Sequence, residues 1–243
     1  MARYLVTGAT SGIGRAFILS QAQHSWCTAI VRNTQKAQEI TDKRPDLLLS
    51  FIKADLSEPE SLEKILRPEL EKEQPYFDGL VYCAGTALPV NLSKGTLSKA
   101  SVMMNTNFYS FCELVRLLAR YKPKEKELRV VAISALAARQ SFESMQFYAA
   151  SKAALEAYVR CTSKEALRHK ILINAIAPAY VDTPMARNSA QALLHEDFDR
   201  WLLEGTQPAG IIPPEEVVTQ INYLLTQAGE HTTGTVITMN GGC

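Results

Sequence analysis

Tyr148 and Lys152 stand four residues apart, a spacing that puts both on one face of a helix. A tyrosine hydroxyl with its ordinary pKa of about 10 is a poor proton shuttle at neutral pH. A neighbouring ammonium favours the phenolate and moves the group toward the useful range, which suits a general acid or base. A second stretch able to do chemistry lies near the start of the chain. There Gly8, Gly12 and Gly14, with Thr10, Ser11, Ile13 and Arg15 among them, follow a short apolar run. The first glycine lets the chain turn sharply, the second lets backbone approach a pyrophosphate, and the third allows close helix–strand packing. A helix starting here aims unpaired N–H groups and its positive dipole end at phosphates. Where a carboxylate for the adenosine ribose is expected, Val31 stands, followed by Arg32 and Asn33. A guanidinium suits a 2′-phosphate and Arg15 adds a second cation, so NADP(H) is favoured over NAD(H).

The elements that must position these residues are legible as alternation. Apolar, β-branched runs at 4–7, 26–31, 48–53, 79–83, 128–133, 171–176 and 235–239 predict strands. Helical spacing predicts helices over 14–23, 58–71, 97–121, 147–169 and 215–227. Such alternation predicts an α/β fold: a Rossmann-type, doubly wound, seven-stranded parallel sheet with helices on both faces. No repeat or linker divides the chain, so one domain over 1–243 is expected. The segment 182–214 is too long for a plain connection. Within it Ala190, Leu193, Leu194, Phe198, Trp201 and Leu202 follow helical spacing, and Arg187, His195 and Arg200 add polarity, so it is read as a substrate lid.

Composition narrows the partners. The 243 residues are 47% hydrophobic and 21% charged, and the formal net charge of +1 gives no reason to expect nucleic acid or an anionic membrane. The five cysteines are scattered and form no C-x-x-C pair, and the four histidines lie far apart, so neither a disulfide framework nor a metal site is expected. The chain enters its first strand without a charged leader, and no apolar run nears the roughly 20 residues that span a bilayer. The expectation is a cytoplasmic protein.

Taken in order, these motifs resemble those of the short-chain dehydrogenase/reductase family, and the similarity runs from Tyr4 to Gly242. The opening turn is similar to the family's TGxxxGxG motif, and Asp55 with Leu56 to its adenine-contacting site. Ala84 and Gly85 match the end of NNAG, Asn107 the helix-bending asparagine, Tyr148 and Lys152 the YxxxK pair, and Pro178 to Thr183 the PGxxxT segment. The resemblance implies hydride transfer between a nicotinamide and a carbonyl or secondary alcohol, with Tyr148 moving the oxygen's proton. It also implies that Lys152 holds the nicotinamide ribose and that the Asn107 main-chain carbonyl supports a water relay. Thr183 and the main chain of Val181 would hold the carboxamide.

Three positions depart from the pattern. Thirteen residues before Tyr148, where the family keeps a serine, is Ala135; Ser134 lies one step earlier, which on a strand is the opposite face. Either a local shift brings the Ser134 hydroxyl to the carbonyl oxygen, or that donor is missing, and its loss costs about a hundredfold or more in turnover. Tyr82 and Cys83 replace the two asparagines of NNAG, and Ala179 replaces the glycine after Pro178. The departure at Ala135 keeps a second reading open: a catalytically impaired dinucleotide-binding protein serving as a sensor or assembly partner. Phe108, Phe111, Leu114, Val115 and Leu118, with Leu155, Tyr158 and Val159, look like more apolar surface than one sheet face needs. With the resemblance they imply a homodimer or homotetramer.

Overall fold

The structure, a computed structural model, describes residues 2–72, 76–194 and 207–243. Strands β1 (Arg3–Thr7), β2 (Trp26–Val31), β3 (Leu48–Lys53), β4 (Gly79–Tyr82), β5 (Leu128–Ile133), β6 (Ile171–Pro178) and β7 (Val236–Met239) form one parallel sheet in the order β3-β2-β1-β4-β5-β6-β7. Parallel pairing needs crossovers, and the helices that supply them cover both faces, which is why β4 and β5 are buried at every residue. One core layer packs Leu5, Leu80, Tyr82, Val130 and Ile173 against Leu66, Phe111, Leu114 and Leu155. The other packs Val6, Val81, Val131 and Ile176 against Phe17, Ile40, Val217 and Ile221.

Among the described residues the helices are α1 (Gly12–Leu19), α2 (Thr34–Lys43), α3 (Leu62–Leu70), α4 (Leu97–Met104), α5 (Ser110–Tyr121), α6 (Gln146–Arg168), α7 (Pro184–Leu194) and α8 (Pro214–Leu225). Two differ from the expectation. Helix α2 has no counterpart among the predicted helices, because only Ala37 and Ile40 of its ten residues are buried, too few to write a helical stripe. It starts because Asn33 caps it, accepting from the N–H groups of Gln35 at 2.8 Å and Lys36 at 3.4 Å. The single helix expected over 97–121 is two, joined by a π turn at Asn105–Tyr109.

The apolar residues that suggested a spare face on α5 and α6 are mostly used at home. Phe111, Leu114, Leu155 and Val159 are fully buried within the chain's own core, and Phe108 stacks edge-on against Tyr158 at 6.1 Å. The lid expectation is described only in part. Its base is closed where Asp182 N donates to Ile212 O and the buried Gln207 bridges Tyr180 to Gly210, and α7 rises from it. His195, Phe198, Arg200, Trp201 and Leu202 lie outside the described residues.

Candidate active site

Because every strand runs the same way, the loops after β1, β2, β3, β4, β5 and β6 emerge at one edge. The order reverses between β1 and β4, where open α/β sheets bind ligands. A cavity of about 740 Å³ opens there, within the range of ligand sites. Its lining brings together residues that are far apart in sequence. Gly8, Thr10, Ser11, Gly12 and Ile13 come from the opening turn; Arg32, Asp55 and Leu56 from the next two strands. Ala84, Gly85, Ser134, Tyr148, Lys152, Pro178, Val181 and Thr183 complete the expected set. Four expected residues are not on this surface: Gly14, Arg15, Asn33 and Asn107.

The opening turn is built from close backbone contacts. Gly8 has φ +68°, and a Cβ there would sit 2.8 Å from the Cys83 carbonyl carbon, so the conformation and the approach both require glycine. A Cβ on Gly14 would lie 2.5 Å from Gly8 O, so its role is to let α1 pack against the turn. Ser11 starts α1 without a side-chain cap, which leaves the helix's first N–H groups directed at the cavity that Gly12 and Ile13 line. This donor set, with the exposed Arg32 at the far wall, fits a dinucleotide's phosphates. Asp55 is held low by the Ser57 N–H and hydroxyl that donate to it, so it faces the cavity as a carboxylate.

The catalytic helix begins beside the end of β5. Lys152 is 3% exposed, its Nζ donates to Ile133 O at 2.7 Å, and it lies 5.8 Å from the Tyr148 ring centre. Burial lowers its pKa to about 8. Burial also pushes the Tyr148 phenol up, against the expectation that the neighbouring ammonium would pull it down. Desolvation penalises charge on both groups and outweighs their mutual attraction, so the phenol carries its proton at neutral pH. Asn107 sits in the π turn, fully buried. Its side chain accepts from Thr86 N at 2.8 Å and donates to Thr86 O at 3.0 Å and Ser151 Oγ at 2.8 Å. Such turns recur at functional sites because they release a helical carbonyl. The Tyr82 hydroxyl, from the position of a missing asparagine, donates to the Thr106 carbonyl in the same turn.

Ser134 requires a correction. Its hydroxyl donates to Glu156 Oε1 at 2.9 Å, and the buried Glu156 also accepts from Arg139 at 2.9 Å and Arg160 at 3.5 Å. Ser134 and Ala135 both line the cavity, but the Ser134 hydroxyl is turned to Glu156, and the side chain at the position thirteen before Tyr148 is a methyl group. The sequence reading missed Glu156, although it lies four residues after Lys152 on the same helix face. It also missed Asn91 and Ser144 in the cavity wall, where the Ser144 hydroxyl lies 3.2 Å from Asn91 Oδ1. Only the φ of +61° at Ser144 marks that serine out, and no sequence pattern displays it. Among the described residues no group of three or more metal-ligating side chains occurs, and no helix is long and apolar enough to cross a membrane.

A family model for the short chain dehydrogenases matches residues 3–193. The chain belongs to that family of oxidoreductases. It is 27% identical to the 3-oxoacyl-(acyl-carrier-protein) reductase FabG of Pseudomonas aeruginosa, over 98% of this chain and 95% of that protein. It is 24% identical to an acetoacetyl-CoA reductase of Acinetobacter sp. strain RA3849, over 98% of this chain and 96% of that one. Its fold superposes with a TM-score of 0.89 on a candidate NAD(P)-dependent gluconate 5-dehydrogenase of Beutenbergia cavernae crystallised with NADP. That protein is 25% identical, and the match covers 99% of this chain and 96% of that one.

Proposed function

We propose that the protein is an NADP(H)-dependent reductase of a ketone or aldehyde, or the corresponding alcohol dehydrogenase, with Tyr148 as the proton-transferring group. One observation carries this reading: Tyr148, Lys152 and the glycine turn line a single cavity, so a dinucleotide on the turn shares a chamber with the proton donor. The bound nicotinamide would supply or accept the hydride. Arg32 at the end of β2 is the cation suited to a 2′-phosphate, and the related Beutenbergia protein was crystallised with NADP. The remaining work falls to the chain itself. Tyr148, protonated at neutral pH, gives its proton to the substrate oxygen. Lys152 holds the ribose and keeps positive potential beside the phenol, and Thr183 with the Val181 main chain orients the carboxamide. The main-chain carbonyl of Asn107, in the π turn, would support proton return through water. The described part of the expected lid reaches the cavity at Pro184, Met185, Ala186 and Ser189. Five free cysteines suit a reducing compartment such as the cytosol. A homodimer or homotetramer follows from the resemblance, and light scattering checks it.

The Ser134–Glu156 bond favours a second reading, a dinucleotide-binding protein without turnover. NADPH absorbance followed against a panel of ketones and aldehydes separates the two. The enzyme reading expects oxidation of NADPH in preference to NADH. It also expects a loss of about a thousandfold in Tyr148→Phe, with dinucleotide affinity kept. Turnover that survives Tyr148→Phe would remove the assigned acid, and no turnover with any carbonyl would leave the binder.

A further inference from the structure

A carbonyl oxygen accepting a proton builds negative charge on two lone pairs, and a donor aimed at each is worth about two orders of magnitude or more in rate. Tyr148 covers one. The cavity wall where β5 ends is Ser134, Ala135, Leu136 and Ala137, and the only side-chain hydroxyl there is that of Ser134. It is spoken for. Ser134 is 2% exposed and bonded at 2.9 Å to a carboxylate that is itself 2% exposed and held by Arg139. Withdrawing it would strip a buried anion of a partner, which is costly. Ala135 therefore presents a methyl group where a second donor would be useful. Further along the wall the character changes. The Ser144 hydroxyl donates to the Asn91 amide oxygen at 3.2 Å at the exposed rim of the cavity, and its oxygen can still accept. A serine held at φ +61° in a cavity wall is strain kept in place by its surroundings: Ser144 O also accepts from Val90 N at 2.8 Å. Both side chains are polar and line the cavity, so they can meet a substrate hydroxyl there.

We propose that the substrate is an α-hydroxycarbonyl compound whose own hydroxyl supplies the second hydrogen bond to the reacting oxygen. The inference rests on Tyr148 being the proton donor. The carbonyl carbon gains a hydride from the reduced nicotinamide and its oxygen gains the Tyr148 proton, yielding a vicinal diol. The neighbouring hydroxyl keeps its proton and only donates a hydrogen bond. That internal bond closes a five-membered ring and is bent, so it recovers part of the effect, about tenfold or somewhat more.

The test compares 1-hydroxybutan-2-one with 1-methoxybutan-2-one, an ether that keeps the electron-withdrawing oxygen but cannot donate. With NADPH and the native chain, kcat/KM favours the hydroxyketone by about tenfold or more, carried mainly by kcat. Ala135→Ser raises the ether by a similar factor and moves the hydroxyketone by no more than about threefold. A crystal of the native chain with the hydroxyketone and oxidised dinucleotide shows the substrate's two oxygens adjacent, with the Ala135 methyl beside the carbonyl oxygen. Equal rates for the pair, an equal gain for both in Ala135→Ser, or a Ser134, Ser144 or Tyr180 hydroxyl on the carbonyl oxygen would each overturn the proposal. If NADPH binds but neither compound reacts with either protein, the carbonyl-reductase reading itself fails and takes the proposal with it.

Discussion

The two ends of the cavity are built on different principles. At the β1–α1 end the surface is main chain: glycines whose missing Cβ atoms let the turn meet Cys83 and let α1 meet the turn. At the β5–α6 end the surface is side chain, and the outcome depends on where individual hydroxyls point. The first end serves a ligand common to many proteins and tolerates little, because backbone cannot move aside. The second can exchange a serine for an alanine, divert a neighbouring hydroxyl to Glu156 and keep the same fold.

The sharpest way to break this contrast is to add one methyl group at each end. Gly14→Ala places a Cβ 2.5 Å from Gly8 O, a backbone atom of the turn that follows β1. We expect a cost of about 2–3 kcal/mol, a melting temperature lower by roughly 5 °C or more, and dinucleotide affinity weakened at least about tenfold. At the other end, Ala135→Ser enlarges a side chain that faces the cavity, and melting should stay within about 2 °C of the native chain. Calorimetry with a dinucleotide titration reads both. Equal damage at the two positions would mean that the side-chain end is as tightly built as the backbone end.

Next in size is the buried Lys152, where function works against stability. Its pKa is lowered from 10.5 to about 8, so below pH 8 the folded chain carries a charge that burial penalises. Between about pH 8 and 10.5 the unfolded chain holds the proton more firmly, so native stability from this group rises with pH there. Lys152→Met removes the penalty and also the bond to Ile133 O. Relative to the native chain, the variant's stability should therefore fall by about 2 kcal/mol from pH 7 to pH 10, on the order of 5 °C in melting temperature. Reductase activity in the native chain should hold below pH 8 and decline as Lys152 loses its proton above it. A melting difference that does not change with pH would show that Lys152 titrates normally.

Legibility in the sequence follows the same division. Strands β2 and β5 begin and end where their apolar runs do, because strands covered on both faces need such runs and little else. The glycine turn and the Tyr148–Lys152 pair stood out as candidates by their spacing, and the structure brings them to one cavity. The partner of Ser134 was not. Glu156 lies 22 residues away, and only the packing of α6 against the end of β5 brings the carboxylate under the hydroxyl. The direction of the Tyr148 shift was misread for a related reason. Spacing reports the neighbouring charge, while the burial that outweighs it is a property of the assembled core. The π turn at Asn105–Tyr109 likewise has no period of its own, and the sequence shows one helix where the chain makes two.

The smallest effect concerns Asn33, which the sequence placed at the dinucleotide and the structure places at the start of α2. Its side-chain oxygen accepts from two of that helix's first N–H groups and its residue lies off the cavity surface, so its contribution is to local order after β2. Asn33→Ala should cost about 1 kcal/mol, the usual worth of an N-cap. For a chain of this size that is about 2–4 °C in melting temperature. NADPH affinity should change by less than about twofold, since the adjacent Arg32 reaches the cavity from the strand end and not from the helix. A tenfold loss of NADPH affinity at unchanged melting temperature would reverse this assignment. It would extend the cofactor end of the cavity by one side chain and weaken the distinction between an end made of backbone and an end made of side chains.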